Sequence, residues 1–270
     1  MTASQREQAA GPGELPGDAD VRALTGRVAV VTGGGRGLGR AIALALAEAG
    51  ADVTVAARSA EEIRRVAGEV GKRGRRFLAV PTDITDEEAV ERLIGRTVDE
   101  LGGLDILVNN SGVVHMAPLL ETSPEDWDRV VATNLRGTFL CMRTAGRHFA
   151  DQGTGKVINV SSNLAFKGRP RFSAYSASKA AIAALTRTVA VEWARFGAQV
   201  NAVAPGYVET DMNAELRRDK ELYARVVNQI PAKRMARAEE IGPLVVYLAS
   251  PASDFMTGET IVIDGGETAR

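Results

Sequence analysis

The sequence predicts an α/β fold in which helices cover both faces of a parallel, seven-stranded, doubly wound sheet. Short β-branched runs alternate with longer segments of helical periodicity, and this alternation is typical of consecutive βαβ units. The runs are nearly continuous in apolar residues, as expected for strands covered on both faces. No composition shift after residue 25 indicates a linker, so residues 25–270 are predicted to form a single domain.

Seven segments have the apolar, β-branched composition of strands. In chain order they span residues 27–32, 52–57, 76–81, 105–110, 156–162, 199–205 and 260–266. The segments between them have helical patterns, and residues 86–101, for example, place Val90, Leu93, Ile94 and Val98 on one face. Right-handed crossovers between parallel strands then give a Rossmann-type sheet.

Composition and charge narrow the function classes. The 270 residues carry a formal net charge of -1, so they lack the positive excess that binds a phosphate backbone, and nucleic acid is not an expected partner. No apolar run approaches the roughly 20 residues that cross a bilayer, so no membrane association is expected. Residues 1–24 lack the apolar centre of a signal peptide and are predicted to form a flexible tail. We expect Cys141 to be a buried structural thiol, the protein to be cytoplasmic, and no metal site to be present.

A glycine-rich loop, TGGGRGLG at residues 32–39, follows the first strand and precedes a helix predicted to begin near Leu38. Gly33, Gly37 and Gly39 permit unusual backbone angles and let the main chain approach a pyrophosphate. Free N–H groups at the start of the helix then face the negative charge. An ordinary glycine turn is the alternative, but the strand–turn–helix setting favours a dinucleotide site.

The end of the second strand indicates which dinucleotide is preferred. An NAD site usually has an acidic residue there for the ribose 2′-OH, whereas this chain has Ala57 followed by Arg58. Arg36 lies within the glycine loop, and an arginine fork suits the oxygens of a 2′-phosphate. If these arginines are not merely solvated, the sequence predicts NADP(H) as the preferred cofactor, with NAD(H) possible.

Tyr175 and Lys179 are one turn apart on a predicted alanine-rich helix, so they share a helical face. A neighbouring cation favours the phenolate, and we expect Lys179 to lower the pKa of Tyr175. Such a tyrosine can exchange a proton with a carbonyl or alcohol oxygen. Ser162, at the end of the fifth predicted strand, could hydrogen-bond the same oxygen.

Several spaced motifs now point to one family. They are TGGGRGLG, NNSG at 109–112, Asn134 in ATNLRG, VSS at 160–162, YSASK at 175–179, PGYVET at 205–210 and the closing DGG. Across residues 25–266 the chain thereby resembles the short-chain dehydrogenase/reductase family, whose members transfer a hydride between a nicotinamide and a ketone or secondary alcohol.

The resemblance implies a role for each matching residue. Tyr175 would be the general acid/base, Lys179 would bind the nicotinamide ribose, Ser162 would hold the substrate oxygen, and Asn134 would support a water in a proton relay. The remaining cofactor contacts implied are Gly33, Arg36, Gly37, Leu38, Gly39, Arg58, Asp83, Ile84, Asn110, Ser111, Gly112, Pro205, Gly206, Val208 and Thr210.

The resemblance also implies how copies of the chain assemble. Residues 124–150 and the helix following Ser173 would pair across one two-fold interface, and the C-terminal strand region would form another. Two different isologous interfaces generate a dihedral tetramer. We therefore expect a homotetramer, with a dimer as the alternative.

The substrate pocket is predicted to include Ser162 and Tyr175 together with His115, Tyr207 and Met212, beneath a lid at about 207–235. His115 could equally be a surface histidine. The basic residues Lys167, Arg169 and Arg171 could attract an anionic substrate, or they could form a solvated loop.

Two branches of the family remain open. HMAPLLETSPEDWDRVVATNL, AVEWARFG and APGYVETDMNAEL resemble gluconate 5-dehydrogenase, which implies a polyol or sugar-acid ketone as substrate. The 3-oxoacyl-[acyl-carrier-protein] reductases are the alternative, although Phe196 stands where they often carry a basic residue. A protein of another class, a non-catalytic NADP(H)-binding sensor, would not need the tyrosine and lysine.

Overall fold

The computed structural model describes residues 23–210 and 213–269, and Met212 lies outside this part of the chain. A seven-stranded parallel sheet forms its centre, with the strand order β3-β2-β1-β4-β5-β6-β9. These strands are β1 Val28–Thr32, β2 Asp52–Ala57, β3 Phe77–Pro81, β4 Ile106–Asn109, β5 Gly155–Val160, β6 Ala198–Pro205 and β9 Thr260–Ile263. A separate pair consists of β7, Val208–Glu209, and β8, Ala236–Arg237.

Helices connect the strands. They are α1 Gly37–Glu48, α2 Ala60–Gly71, α3 Glu87–Leu101, α4 Pro124–Val131, α5 Gly137–Gln152, α6 Ser173–Trp193, α7 Ala214–Arg218, α8 Lys220–Gln229 and α9 Gly242–Ala249. The ends are set by local chemistry. The Asp86 side chain accepts a hydrogen bond from Glu88 N and caps α3, whose other end terminates at Gly102 in the left-handed conformation.

The predicted fold class is confirmed, with two apolar layers enclosing one sheet. Ile42 of α1, Ile63 of α2 and Val245 of α9 belong to the core on one face. Leu93 of α3 and Phe149 of α5 belong to the core on the other face. In the described residues, no helix combines the length and apolar character needed to span a bilayer.

Cys141 lies in the second core and is fully buried, as expected, and burial raises the pKa of its thiol to about 12. The structure moves one predicted boundary. Leu24, assigned to the flexible tail, is fully buried, and its backbone N–H bonds to Ala49 O. The folded region therefore begins before residue 25, because an apolar side chain at position 24 completes the core.

Two strands end two or more residues earlier than predicted. β5 ends at Val160, which places Ser161 and Ser162 just beyond its carboxyl end, and β9 ends at Ile263. Gly265 and Gly266 then turn the chain with φ of 66° and 89°, a region that favours glycine.

The predicted long helical segment at 124–150 is interrupted. Between α4 and α5, residues Ala132–Arg136 form a π-helical turn. One extra residue per turn rotates the side chains that follow, and Asn134 lies within this turn, fully buried. The interruption therefore determines the direction in which Asn134 points.

The predicted lid, residues 207–235, contains β7, α7 and α8 in its described part. Val226 and Ile230 form a small apolar cluster with Met235, against which Tyr207 packs. The role of this segment as a lid stays a prediction.

Candidate active site

A cleft of about 1170 Å³ lies along the carboxyl ends of the parallel strands. Segments that follow β1, β2, β3, β4, β5 and β6 all contribute to its lining. The strand order reverses between β1 and β4, and open α/β sheets bind ligands at such a crossover. The topology thus collects residues that are distant in sequence around one cavity.

The glycine loop between β1 and α1 provides a main-chain cradle. Gly33 and Gly37 have φ of 63° and 51°, so side chains there would strain the backbone. A Cβ at Gly39 would lie 2.2 Å from Gly33 O and 2.4 Å from Asn110 Nδ2. Within the described residues, no side chain caps α1 and no acidic residue lies in its first turn. The donors at this helix start fit a pyrophosphate.

The two arginines predicted for a 2′-phosphate both line the cleft. Arg36 Nη1 lies 3.9 Å from Glu62 Oε1, a distance that leaves it accessible to another anion. Arg58 is exposed. The backbone N–H of Thr85 and, more weakly, the charge of Arg58 hold the pKa of Asp83 below its ordinary value. Arg58 and Asp83 both line the cleft.

The structure brings every predicted cofactor residue to this cleft. Those lining it are Gly33, Arg36, Gly37, Leu38, Gly39, Arg58, Asp83, Ile84, Asn110, Ser111, Gly112, Tyr175, Lys179, Pro205, Gly206, Val208 and Thr210. Asn110 fixes the loop after β4, because its Nδ2 donates to Thr32 O and Gly33 O, each at 3.1 Å.

Ser162, Tyr175 and Lys179 meet in the same cleft. The Lys179 ammonium is buried, lies 5.7 Å from the centre of the Tyr175 ring and donates to Val160 O at 2.7 Å. Ser161 Oγ donates to Lys179 O at 2.9 Å and joins the end of β5 to α6. The helical spacing predicted from the sequence thus places both side chains at the end of β5.

The electrostatics of the pair differ from the sequence prediction. Burial raises the pKa of Tyr175, and its hydrogen bond with Ser162 lowers that pKa less strongly. The net direction is therefore opposite to the lowered tyrosine pKa that the sequence predicted, because burial outweighs the contacts that favour the phenolate. The lysine is itself desolvated, and burial lowers its pKa to about 8, so its own charge is costly to maintain.

Asn134 lies beneath the cleft rather than among the residues lining it. Its Oδ1 accepts from Val113 N at 2.8 Å, and its Nδ2 donates to Val113 O and to Ser178 Oγ, both at 3.0 Å. Asn134 thereby connects the loop after β4 to α6, which carries Tyr175.

Three of the five predicted substrate residues line the cleft. Tyr207, Ser162 and Tyr175 line the cleft, whereas His115 is absent from its described lining. His115 Nδ1 instead lies 3.5 Å from Asp126 Oδ1, because the loop after β4 runs back along the start of α4. Met212 lies outside the described residues.

A buried acidic residue was missed by the sequence analysis. Glu267 is 6% exposed, and its carboxylate accepts from Asn163 Nδ2 at 2.7 Å and pairs with Lys167. It connects the segment after β5 with the end of the chain. An acidic residue two positions after a DG turn that follows an apolar strand was the available signal, but its partners lie about 100 residues away.

Known proteins resemble this chain in sequence. A family model described as enoyl-(acyl carrier protein) reductase matches residues 33–268. The 2-dehydro-3-deoxy-D-gluconate 5-dehydrogenase of Escherichia coli (strain K12) is 41% identical over 248 residues, 92% of this chain and 97% of that enzyme. The cis-4-hydroxycyclohexanecarboxylate dehydrogenase of Sinomonas cyclohexanicum is 43% identical over 92% of this chain and 98% of that enzyme.

A solved structure of a similar enzyme has the same fold. The gluconate 5-dehydrogenase of Burkholderia cenocepacia J2315, crystallised in complex with NADP and tartrate, matches with a TM-score of 0.89 at 36% identity and covers 94% of this chain and 100% of its own. The resemblance inferred from the motifs is confirmed, including the similarity to gluconate 5-dehydrogenases. This chain belongs to the short-chain dehydrogenase/reductase family of oxidoreductases.

Proposed function

We propose that this chain is an NADP(H)-dependent oxidoreductase that interconverts a ketone and a secondary alcohol on a small carboxylic acid. A sugar acid of the gluconate type is the best candidate substrate. The observation that carries the proposal is the presence of Tyr175, Ser162 and Lys179 in one cleft with the glycine loop and Arg58.

The fit to the cofactor rests on chain groups already described. The uncapped N-terminus of α1 would hold the pyrophosphate, and Arg36 and Arg58 would contact the 2′-phosphate. The bound nicotinamide would supply or accept the hydride. A relative binds NADP, which supports the choice of NADP(H), with NAD(H) possible.

Tyr175 and Ser162 would handle the proton. During reduction, the Ser162 hydroxyl orients the ketone oxygen, and the Tyr175 hydroxyl donates its proton to that oxygen as the carbon gains the hydride. Burial raises the pKa of Tyr175, so this phenol is protonated at neutral pH and suited to act as the acid. In oxidation, the Tyr175 phenolate would accept the proton from the hydroxyl oxygen, and the hydride would pass from carbon to the bound nicotinamide.

Relatives support the carboxylic-acid class of substrate. The two enzymes compared above, from E. coli and from Sinomonas, are both named for a hydroxyl-bearing compound that is also a carboxylate. A carboxylate is thus the feature common to otherwise different carbon skeletons. The acyl-carrier-protein alternative receives less support, because Phe196 packs against Trp193 with ring centroids 5.7 Å apart.

A substrate panel followed by NADPH absorbance tests the proposal. It should contain 5-ketogluconate, 4-oxocyclohexanecarboxylate, acetoacetyl thioesters and cyclohexanone. We expect one of the two keto acids to give the highest kcat/KM. Preferential turnover of the thioesters would favour the acyl-carrier-protein branch, and cofactor binding without turnover of any compound would favour a sensor.

The assembly and location of the protein are also proposals. We infer a homotetramer, with a dimer as the alternative, because exposed apolar side chains occur on α5 and α6, at Phe139 and Val191, and again near β9, at Phe255 and Val262. A cytoplasmic location stays a prediction.

A further inference from the structure

The cations that line the cleft differ in what they already bind. Arg129 Nη2 pairs with Asp126 Oδ1 at 2.8 Å, Arg36 faces Glu62, and Lys179 donates to a backbone carbonyl. Arg58 is exposed and is expected to face the cofactor. Arg169 also lines the cleft, and among the side chains that the structure describes its guanidinium has no carboxylate partner. It is therefore a charge available to a ligand.

Two aromatic rings hold this guanidinium in place. Arg169 Cζ lies 4.9 Å from the centre of the Tyr207 ring and 5.4 Å from that of Phe172, within the range of cation–π contacts. Neither contact is a hydrogen bond, so neither occupies the N–H donors of the guanidinium. The fork of donors matches a carboxylate in bidentate geometry.

The same contacts place Arg169 near the proposed proton donor. The Phe172 ring packs edge-on against the Tyr175 ring, with centroids 6.4 Å apart. Arg169, Phe172 and Tyr175 thus form one continuous series of contacts along the wall of the cleft. A small molecule whose reacting oxygen lies at Tyr175 can place a second polar group, a few carbon atoms away, at Arg169.

The two neighbouring basic residues do not have this arrangement. Lys167 is paired with the buried Glu267, so its charge is already neutralised. Arg171 is exposed, and its Nη2 lies 3.5 Å from Met116 O. It is also absent from the described lining of the cleft. The sequence does not distinguish these three neighbouring basic residues, but in the structure each has different surroundings.

We infer that Arg169 binds the carboxylate of the substrate and thereby selects keto acids and hydroxy acids over uncharged ketones and alcohols. This inference rests on the proposed function and adds to it the group that recognises the acid. Arg169 is a specificity residue in this scheme, because it contacts the carboxylate and not the carbon that exchanges the hydride.

The test compares an acid with its uncharged analogue in matched variants. Binding of 4-oxocyclohexanecarboxylate and of 4-oxocyclohexanecarboxamide is measured by calorimetry in the presence of NADP, so that no turnover is needed. Arg169→Ala should weaken binding of the acid by about 10- to 100-fold, as expected for loss of a charge-assisted hydrogen bond. It should change binding of the amide by less than about 3-fold, and Arg169→Lys should recover part of the affinity for the acid.

Arg171→Ala is the matched control, because it removes the same charge two residues away. Equal losses for acid and amide, or the same loss in Arg171→Ala, would overturn the inference. Failure of the proposed function has a different signature. If cyclohexanone is the preferred substrate, steady-state inhibition of its reduction by cyclohexanecarboxylate still reports on Arg169. Inhibition that is unchanged in Arg169→Ala would then contradict the role given to this arginine.

Discussion

At the scale of single residues, the surroundings of Tyr175 determine which proton transfer it can perform. Burial raises its pKa, so the hydroxyl retains its proton at neutral pH. Tyr175→Phe removes this proton while keeping the ring that packs against Phe172. We expect kcat to fall at least 10²- to 10⁴-fold, the range typical of general acid–base catalysis, with NADPH affinity nearly unchanged. Steady-state kinetics measures kcat, and a fluorescence titration measures NADPH affinity. A Tyr175→Phe variant with wild-type kcat would contradict the assignment of Tyr175 as the general acid/base.

Arg58 provides a separate test of cofactor choice. Arg58→Asp replaces a partner for a 2′-phosphate with a partner for a 2′-OH. We expect the ratio of kcat/KM for NADPH to that for NADH to fall by about 10-fold or more, as for loss of a charge-assisted contact. Arg64→Asp, an equal charge change at an exposed position of α2, is the control. An unchanged ratio in Arg58→Asp would mean that Arg58 faces solvent.

Because Lys179 is buried, we expect the free energy of unfolding to depend on pH. Burial lowers its pKa from the ordinary 10.5 to about 8. Between these values the unfolded chain binds more protons than the folded chain, so the contribution of Lys179 to stability increases from pH 8 toward pH 10 and is lost as the pH falls through 8. Lys179→Met should lack this component. Urea unfolding of both proteins without cofactor measures it, and parallel pH curves would contradict the pKa.

At the scale of elements, the contact between the glycine loop and α1 depends on a missing side chain. A Cβ at Gly39 would overlap Gly33 O, whereas a Cβ at Gly68 of α2 would meet nothing within 4 Å. Gly39→Ala should therefore lower the free energy of unfolding by about 1–3 kcal/mol and weaken NADPH binding. Gly68→Ala should raise it by about 1 kcal/mol through helix propensity. Chemical denaturation and cofactor titration distinguish close packing from a general intolerance of alanine in helices.

The elements also show how far local pattern predicts structure. All seven strands of the sheet form within two residues of their predicted starts, because apolar, β-branched runs specify strands through local sterics and two-sided burial. The π-helical turn at 132–136 was not predicted. Its buried Asn134 is held by the loop after β4 and by α6, contacts that no local periodicity contains.

At the scale of the whole molecule, two exposed apolar regions support the proposed assembly. Val191 of α6 is 80% exposed, and Phe255, before β9, is fully exposed. We expect Val191→Glu and Phe255→Glu each to convert a tetramer into a dimer, and the double variant to be monomeric, because each removes one isologous interface. Light scattering across a dilution series measures this. A fully active wild-type monomer at all concentrations would contradict both the tetramer and any link between assembly and catalysis.

The sequence by itself determined the fold class, the family, and the glycine loop, Ser162, Tyr175 and Lys179 as parts of one cleft. It could do so because strand periodicity, the glycine loop and the Tyr175–Lys179 spacing are local features. Only the tertiary structure decided which charged side chains are paired and in which direction the pKa of Tyr175 shifts. Lys167 is neutralised by Glu267, Arg169 lies beside Tyr207 without a carboxylate partner among the described side chains, and burial reverses the pKa shift expected for Tyr175. The physical reason is that desolvation and ion pairing depend on neighbours brought together by folding, and those neighbours are far apart in the sequence.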